Sequence, residues 1–224
     1  YKRQPLHGNK DRMSTIHSQL TMPILTTLAN DAIDIAQGLG EQVNAAGLSM
    51  GGIVTGWVAQ TRADVERAMI ISPALSFKII PYWLTKVAMW FSLFTPNRYD
   101  WWDPTVKDTG PRPPYVYPRY ATRAIAHFTR LGFQWRRLAH QSQPAAKSIV
   151  VITNAFDQHV NHRAVKEIVE FWRKNGYANV QTCEFTAEQQ IGHDLIDPAI
   201  IGDKQSLVYP ILLDLMLGEK TTQL

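Results

Sequence analysis

The chain has 224 residues, of which 45% are hydrophobic and 19% charged, and its formal net charge at pH 7 is +4. This composition is typical of a globular protein that can bury a full core, and it excludes a disordered chain. The modest charge gives no reason to expect nucleic acid as a partner. The single cysteine, Cys183, excludes an internal disulfide.

The apolar pattern of the first third predicts a helix, a strand, a second helix and a second strand. The first helix is expected from Thr21 to Leu39, with a buried face made of Leu25, Leu28, Ala32, Ile35, Ala36 and Leu39. A short buried strand over Val43–Ala46 precedes a helix over about Met50–Gln60. The run Ala68–Ile71 is typical of a parallel strand that is buried on both faces.

The composition changes between Ser76 and Gln143, which hold five of the seven tryptophans and seven of the thirteen prolines. We interpret residues 76–147 as an inserted, mainly helical cap whose helices are joined by a proline-rich loop over 101–115. Residues 1–75 and 148–224 are then the two parts of one core. The stretch Trp83–Phe94 is interrupted by Lys86 and is too short to span a membrane, so no stable span is expected.

Strands and helices alternate again after the cap. A strand is expected over 148–153 and another over Val180–Phe185, with an amphipathic helix between them. The last helix is expected over Leu207–Leu217, with Pro210 in its first turn. This alternation predicts an α/β protein with a mainly parallel sheet.

The turn between the first predicted strand and its helix has the spacing G-x-S-x-G, with Gly47 and Gly51 on either side of Ser49. A nucleophilic serine at the end of a strand needs such a tight turn to project its hydroxyl. We expect both glycines to be required, because a side chain at either position would collide with the neighbouring strand or helix. The following helix directs its N-terminal N–H groups at the same point, which suits an oxyanion.

A serine nucleophile needs a base, and the base needs an acid that orients it. Functional groups of parallel sheets gather at the carboxyl ends of strands, and there the sequence has Asp157 and His193. Asp194 competes as the acid, but neighbouring loop residues seldom point at each other. The other histidines are weaker candidates for the base: His159 and His162 are expected to face solvent, His127 and His140 to lie in the cap, and His7 and His17 in the N-terminal loop.

Three pieces of sequence together resemble the α/β-hydrolase superfamily, in particular its cap-bearing serine esterases, lipases and thioesterases. They are Gly47–Gly52, the loop Asn154–Asn161, and the segment Gly192–Pro198. The resemblance implies acyl transfer by a Ser49–His193–Asp157 triad, with the backbone N–H of Met50 as one oxyanion donor. It implies no metal and no organic cofactor.

The N-terminal region departs from the pattern of that superfamily. Its members place a second oxyanion donor in a His-Gly loop well before the nucleophile, whereas His7-Gly8 lies only about forty residues before Ser49. We therefore expect that the first strands and the oxyanion loop precede Tyr1, and that His7-Gly8 belongs to a later loop.

The leading interpretation is a hydrolase of small carboxylic esters with a hydrophobic acyl or aromatic part, since an aromatic cap over a serine suits such a substrate. A thioesterase or acyltransferase with the same three residues, and a non-catalytic protein that binds a hydrophobic ligand, remain alternatives. The sequence leaves the oligomeric state open. Residues 119–147 carry six basic residues and no acid, which indicates either a solvated basic face or a site for anionic groups.

Overall fold

The computed structural model describes residues 13–78, 80–106 and 117–218, together with Leu6 and Asp11. Their helices and strands follow in the order α1 (Met22–Gln37), β1 (Asn44–Leu48), α2 (Met50–Thr61), β2 (Arg67–Ile71), α3 (Thr85–Phe94), β3 (Tyr99–Trp101), β4 (Arg119–Ala121), α4 (Thr122–Gln141), β5 (Ser148–Asn154), α5 (Arg163–Lys174), β6 (Val180–Phe185), α6 (Pro198–Ile201) and α7 (Gln205–Leu217). A short 3₁₀ turn over Tyr82–Leu84 leads directly into α3. Most of the predicted proline-rich loop lies outside the described residues, and all of His7-Gly8 does.

The centre of the fold is a parallel sheet with the strand order β1-β2-β5-β6. Two of its strands, β2 and β5, are continuous apolar runs, and alternate residues face opposite sides of the sheet. Ile70 and Val151 pack in the cluster that includes α1, α2, α4 and α5. Ile71 and Ile152 pack on the other side, against α6 and α7. Helices therefore cover both faces, as the alternating pattern predicted.

The segment between the second and third strands of this sheet contains α3, the antiparallel pair β3–β4 and α4. The second half of α4 packs directly on α2. A Cβ at Gly56 would lie 2.4 Å from the ring of Trp135, which is fully buried. Trp135 thus belongs to the main core. Trp83, Trp90 and Trp102, from the same segment, are exposed.

Two expectations about the first third were wrong in detail. The buried face of α1 consists of Leu25, Ala29 and Ile33, whereas Ile35 and Leu39 are exposed. Of the other residues predicted for this face, Leu28 and Ala36 are half-buried and Ala32 is exposed. The first strand begins at Asn44 and is only half-buried, because in the described residues β1 lies at an edge of the sheet.

Candidate active site at the carboxyl edge of the sheet

Ser49 occupies the turn between β1 and α2 in a conformation that L-residues rarely adopt, with φ 58° and ψ −112°. Such backbone strain costs about 1–3 kcal/mol and persists only where the surroundings enforce it. Here the Ser49 N–H donates to the carbonyl of Ile71 at 2.9 Å, and the Ser49 carbonyl accepts from the Ala74 N–H at 3.1 Å. The last residue of β2 and the segment that follows it therefore hold the turn through both backbone groups of the serine.

The glycines of the G-x-S-x-G motif are not equivalent. A Cβ on Gly47 would lie 2.3 Å from the carbonyl oxygen of Gly51 and 2.5 Å from the Thr55 hydroxyl, so only glycine fits there. A Cβ on Gly51 would meet nothing within 4 Å. The expectation that both glycines are required was wrong for Gly51. The next residue, Gly52, is the tight one, because its Cβ would lie 2.9 Å from the carbonyl oxygen of Ile71.

Met50 is the first residue of α2, directly after the serine. The first N–H groups of a helix have no partner within the helix, and they carry its positive dipole end. The N–H of Met50 is one of these groups, and it follows Ser49 directly in the chain. Its side chain is partly buried and packs against the main core, which holds this end of the helix in place.

The structure brings Asp157 and His193 together. The loop after β5 carries Asp157 and the loop after β6 carries His193, and the imidazole Nδ1 donates to Asp157 Oδ2 at 2.6 Å. The carboxylate is fully buried and the imidazole is nine-tenths buried. The second carboxylate oxygen, Oδ1, accepts from the N–H groups of His159 at 2.8 Å and Val160 at 3.1 Å.

These bonds keep the buried acid ionised. Burial by itself would raise the pKa of Asp157, but the hydrogen bond from His193 and the two backbone N–H groups outweigh it, so the pKa lies below its ordinary value. Because β1, β5 and β6 are parallel, the loops that carry Ser49, Asp157 and His193 all leave the sheet at its carboxyl edge.

No protein-family model matches this sequence, and no curated protein matches it significantly. Solved structures do resemble it. The monoacylglycerol lipase of Paleococcus ferrophilus is 15% identical and has a TM-score of 0.65, over 90% of this chain and 77% of its own. A soluble variant of the Saccharomyces cerevisiae monoglyceride lipase, in complex with a substrate analog, is 14% identical, with a TM-score of 0.65 over 90% of this chain and 70% of its own. Est1E of Butyrivibrio proteoclasticus with bound ferulic acid is 14% identical, with a TM-score of 0.58 over 90% of this chain and 70% of its own.

The chain has the α/β-hydrolase fold. Within this fold the strained turn at Ser49 corresponds to the strand–turn–helix arrangement in which the serine of G-x-S-x-G stands at the top of the sheet. The order Ser49, Asp157, His193 along the chain is also the order in which α/β-hydrolases carry nucleophile, acid and base.

Asn154, the last residue of β5, joins the loops of the acid and the histidine. Its side-chain amide donates to the carbonyls of Ile191 at 2.6 Å and Gly192 at 3.2 Å, and its oxygen accepts from the Phe156 N–H at 3.0 Å. Sequence reasoning did not single out Asn154. A polar residue at the end of a buried strand was the available signal, because a buried amide must find partners.

The expectation that His162 faces solvent was wrong. Its side chain is nine-tenths buried, its Nε2 lies 3.0 Å from the carbonyl oxygen of Asn154, and the same nitrogen lies 3.8 Å from Asp157 Oδ2. Burial lowers the pKa of His162 although Asp157 acts to raise it. His162 stands directly before α5, and its imidazole contacts the end of β5 through the backbone of Asn154.

His159 is exposed, as predicted, but it is not remote from the site. Its ring centroid lies 5.5 Å from that of His193, with the two rings at 62°. Lys78 reaches the same loop from the segment before α3, and its ammonium donates to the backbone carbonyl of Asp157. The segment of Lys78 is further joined to the acid loop by an antiparallel bridge between Phe77 and Val160.

The remaining candidates make other contacts. Asp194 contributes its backbone carbonyl to a turn, where it accepts from the Asp197 N–H at 3.1 Å. His127 and His140 are on α4, and the ring of His140 packs edge-on against Phe171 at 4.7 Å. Among the described residues, no three His, Cys, Asp or Glu side chains are grouped so that they could hold a metal ion.

Proposed function

We propose that this protein is a serine hydrolase that cleaves carboxylic esters through an acyl-enzyme on Ser49. One observation carries the proposal: a buried, hydrogen-bonded Asp157–His193 pair lies at the same edge of the sheet as a serine on a strained strand–helix turn. Solved structures of similar fold include two lipases that act on monoacylglycerols and a lipolytic enzyme from a metagenome, and they support ester hydrolysis as the reaction class.

In the proposed reaction the Ser49 hydroxyl attacks the ester carbonyl while His193 takes its proton through Nε2. The bond of Nδ1 to Asp157 presents Nε2 as the basic nitrogen and stabilises the imidazolium that forms. The tetrahedral oxyanion accepts a hydrogen bond from the Met50 N–H. His193 then returns the proton to the departing alkoxide, and the C–O bond to the alcohol breaks. A water molecule, deprotonated by the same imidazole, releases the carboxylic acid from Ser49.

The surroundings of Asp157 suit this role. An acid that orients a histidine must remain ionised at neutral pH, and the three hydrogen bonds to its carboxylate lower its pKa despite full burial. The ester substrate that we propose has a hydrophobic acyl or aromatic part. The apolar composition of the segment before α4 supports that choice.

A fluorophosphonate probe tests the proposal directly, because it phosphonylates only an activated serine, with release of fluoride. We expect the full chain to be labelled and the Ser49→Ala variant to be unlabelled, with turnover of p-nitrophenyl esters lost in parallel. Removal of a half-buried hydroxyl deletes no core contact, so the melting temperature should change little.

Ser206→Ala, a substitution of an exposed serine on α7, serves as the matched control and should keep both labelling and turnover. Labelling of Ser49→Ala at the level of the unaltered protein would refute the assignment. Faster turnover of thioesters than of matched oxygen esters would keep the triad and change the substrate class.

A further inference from the structure

One side of α3 and of the turn before it is apolar and exposed. The side chains concerned, here called the α3 face, are Trp83, Val87, Trp90, Phe91 and Phe94, and their exposed fractions range from 40% to 81%. Their spacing of three and four residues places them on one side of the helix. An isolated exposed hydrophobic residue needs no explanation, but five on one short helix and the turn that leads into it do.

The α3 face is not the side that packs on the protein. The buried residues of α3 are Thr85 and Met89, and through this side α3 contacts α4. The helix is therefore apolar on both sides, whereas a helix at the surface of a soluble domain normally turns a polar side outward. The rings of the α3 face also contact each other, since Trp90 and Phe94 stack with centroids 5.6 Å apart.

The charged residues that the structure places at the α3 face are basic. No acidic residue occurs between Arg67 and Tyr99. The exposed Lys86 lies on α3 itself, and the guanidinium of Arg130 lies 5.9 Å above the ring of Trp90. Residues 76–147 carry eleven lysines and arginines against three aspartates, a net charge of +8, while the rest of the chain carries twelve against sixteen, a net charge of −4. The positive charge of this protein is thus concentrated in the segment that bears the apolar face.

We propose that the α3 face docks onto the surface of an anionic phospholipid bilayer. Tryptophan and phenylalanine rings enter the boundary between head groups and acyl chains, and lysine and arginine beside them attract anionic head groups. Among the described residues, no helix is both long and apolar enough to cross a bilayer. Helix α3 instead lies in the plane of the interface, with its outward side in the lipid.

Charge decides between a bilayer and a protein as the occupant. A protein interface core is depleted of charge and draws on polar complementarity at its rim. Here two cations, Lys86 and Arg130, lie at the aromatic patch itself, and the segment that carries the patch has a net charge of +8. A uniformly anionic surface matches that arrangement at every point, and an individual protein surface matches it only where its own acids lie. The proposal does not depend on the serine chemistry.

The first test is flotation of the full chain with vesicles of phosphatidylcholine alone or with about 30 mol% phosphatidylglycerol, the anionic component. We expect binding to the anionic vesicles that weakens as salt is raised from ~0.1 M to ~0.5 M. Exchange of Trp83, Phe91 and Phe94 for serine should lower the partition coefficient on the order of 100-fold. The matched control exchanges Leu39, Leu213 and Leu217, which are similarly exposed outside the segment, and should bind as the unaltered chain does.

The second test places a fluorophore on the α3 face. Phe91→Cys can be labelled selectively with nitrobenzoxadiazole, because the natural cysteine, Cys183, is buried and burial raises its pKa to about 11. We expect the emission to shift to the blue on addition of anionic vesicles, and no shift for Leu39→Cys labelled in the same way.

The outcomes separate the alternatives. Absence of binding to anionic vesicles, or equal loss of binding in the aromatic and leucine triple variants, overturns the proposal. A blue shift without vesicles that increases with protein concentration shows that a second copy covers the α3 face, and this also overturns it. Since neither test needs catalysis, failure here would leave the proposed esterase function untouched, and loss of fluorophosphonate labelling would leave the docking proposal untouched.

Discussion

Asp157→Asn isolates the contribution of the proposed acid, because the structure predicts how the new side chain must sit. The asparagine oxygen can replace Oδ1, which accepts from the N–H groups of His159 and Val160. Its amide nitrogen then takes the position of Oδ2, 2.6 Å from His193 Nδ1, and presents a donor to a donor. His193 must move its proton to Nε2 in order to accept with Nδ1, and Nε2, the nitrogen that takes the serine proton in the proposed reaction, is no longer basic.

The expected loss in kcat/KM is about 10³–10⁴-fold, the scale observed when the histidine of a serine triad is held in the wrong tautomer. The free energy of unfolding should change by less than the activation free energy does. The variant loses a charge-assisted hydrogen bond worth about 1.5–3 kcal/mol, but it also removes a fully buried charge whose desolvation is costly. We expect a net decrease of about 1–2 kcal/mol in the free energy of unfolding.

The assay is the hydrolysis of p-nitrophenyl esters, with thermal unfolding measured on the same samples. Asp194→Asn is the matched control, since it changes the neighbouring carboxylate in the histidine loop and should keep kcat/KM within about threefold of the unaltered value. A result in which Asp194→Asn loses activity while Asp157→Asn retains it within about tenfold would show that the acid was assigned to the wrong loop.

Three further predictions follow from the geometry of the site. Gly47→Ala should lower the free energy of unfolding by about 1–3 kcal/mol and reduce activity, because the new Cβ collides with the Gly51 backbone. Gly51→Ala has free space for its Cβ and should be neutral or slightly stabilising. Equal melting temperatures for the two variants would contradict this prediction. The stability that the lowered pKa of Asp157 contributes is fully present above the unfolded pKa of ~3.9, and it is lost as the pH falls through the lower folded pKa. Denaturant titrations should therefore show the free energies of unfolding of the unaltered protein and of Asp157→Asn converging in strong acid. Burial lowers the pKa of His162, so the fold should lose stability as the pH falls from ~6.5 towards the folded pKa of this group. His162→Gln should make that pH dependence smaller. An identical slope of the free energy of unfolding against pH in the variant would show that His162 is not the group responsible.

The sequence by itself determined the fold class and the region of the site. Continuous apolar runs such as Ile149–Ile152 can be buried only inside a sheet that is covered on both faces, and they alternate with helical patterns, which leaves few topologies open. The carboxyl ends of parallel strands lie at one edge of a sheet for purely topological reasons. Ser49, Asp157 and His193 could therefore be named as candidates, without coordinates, from where each strand ends.

Contacts between distant segments were decided by the tertiary structure. Whether Asp157 or Asp194 meets His193 depends on the path of two loops, and it is Asp157 that lies 2.6 Å from the imidazole. The burial of His162 depends on how α5 packs against β5, which no local pattern records. A periodic pattern likewise cannot say which side of a helix finds a partner. Ile35 on α1 and Phe94 on α3 are exposed because helical spacing sets only which residues share a side, and the neighbouring elements determine which side is covered.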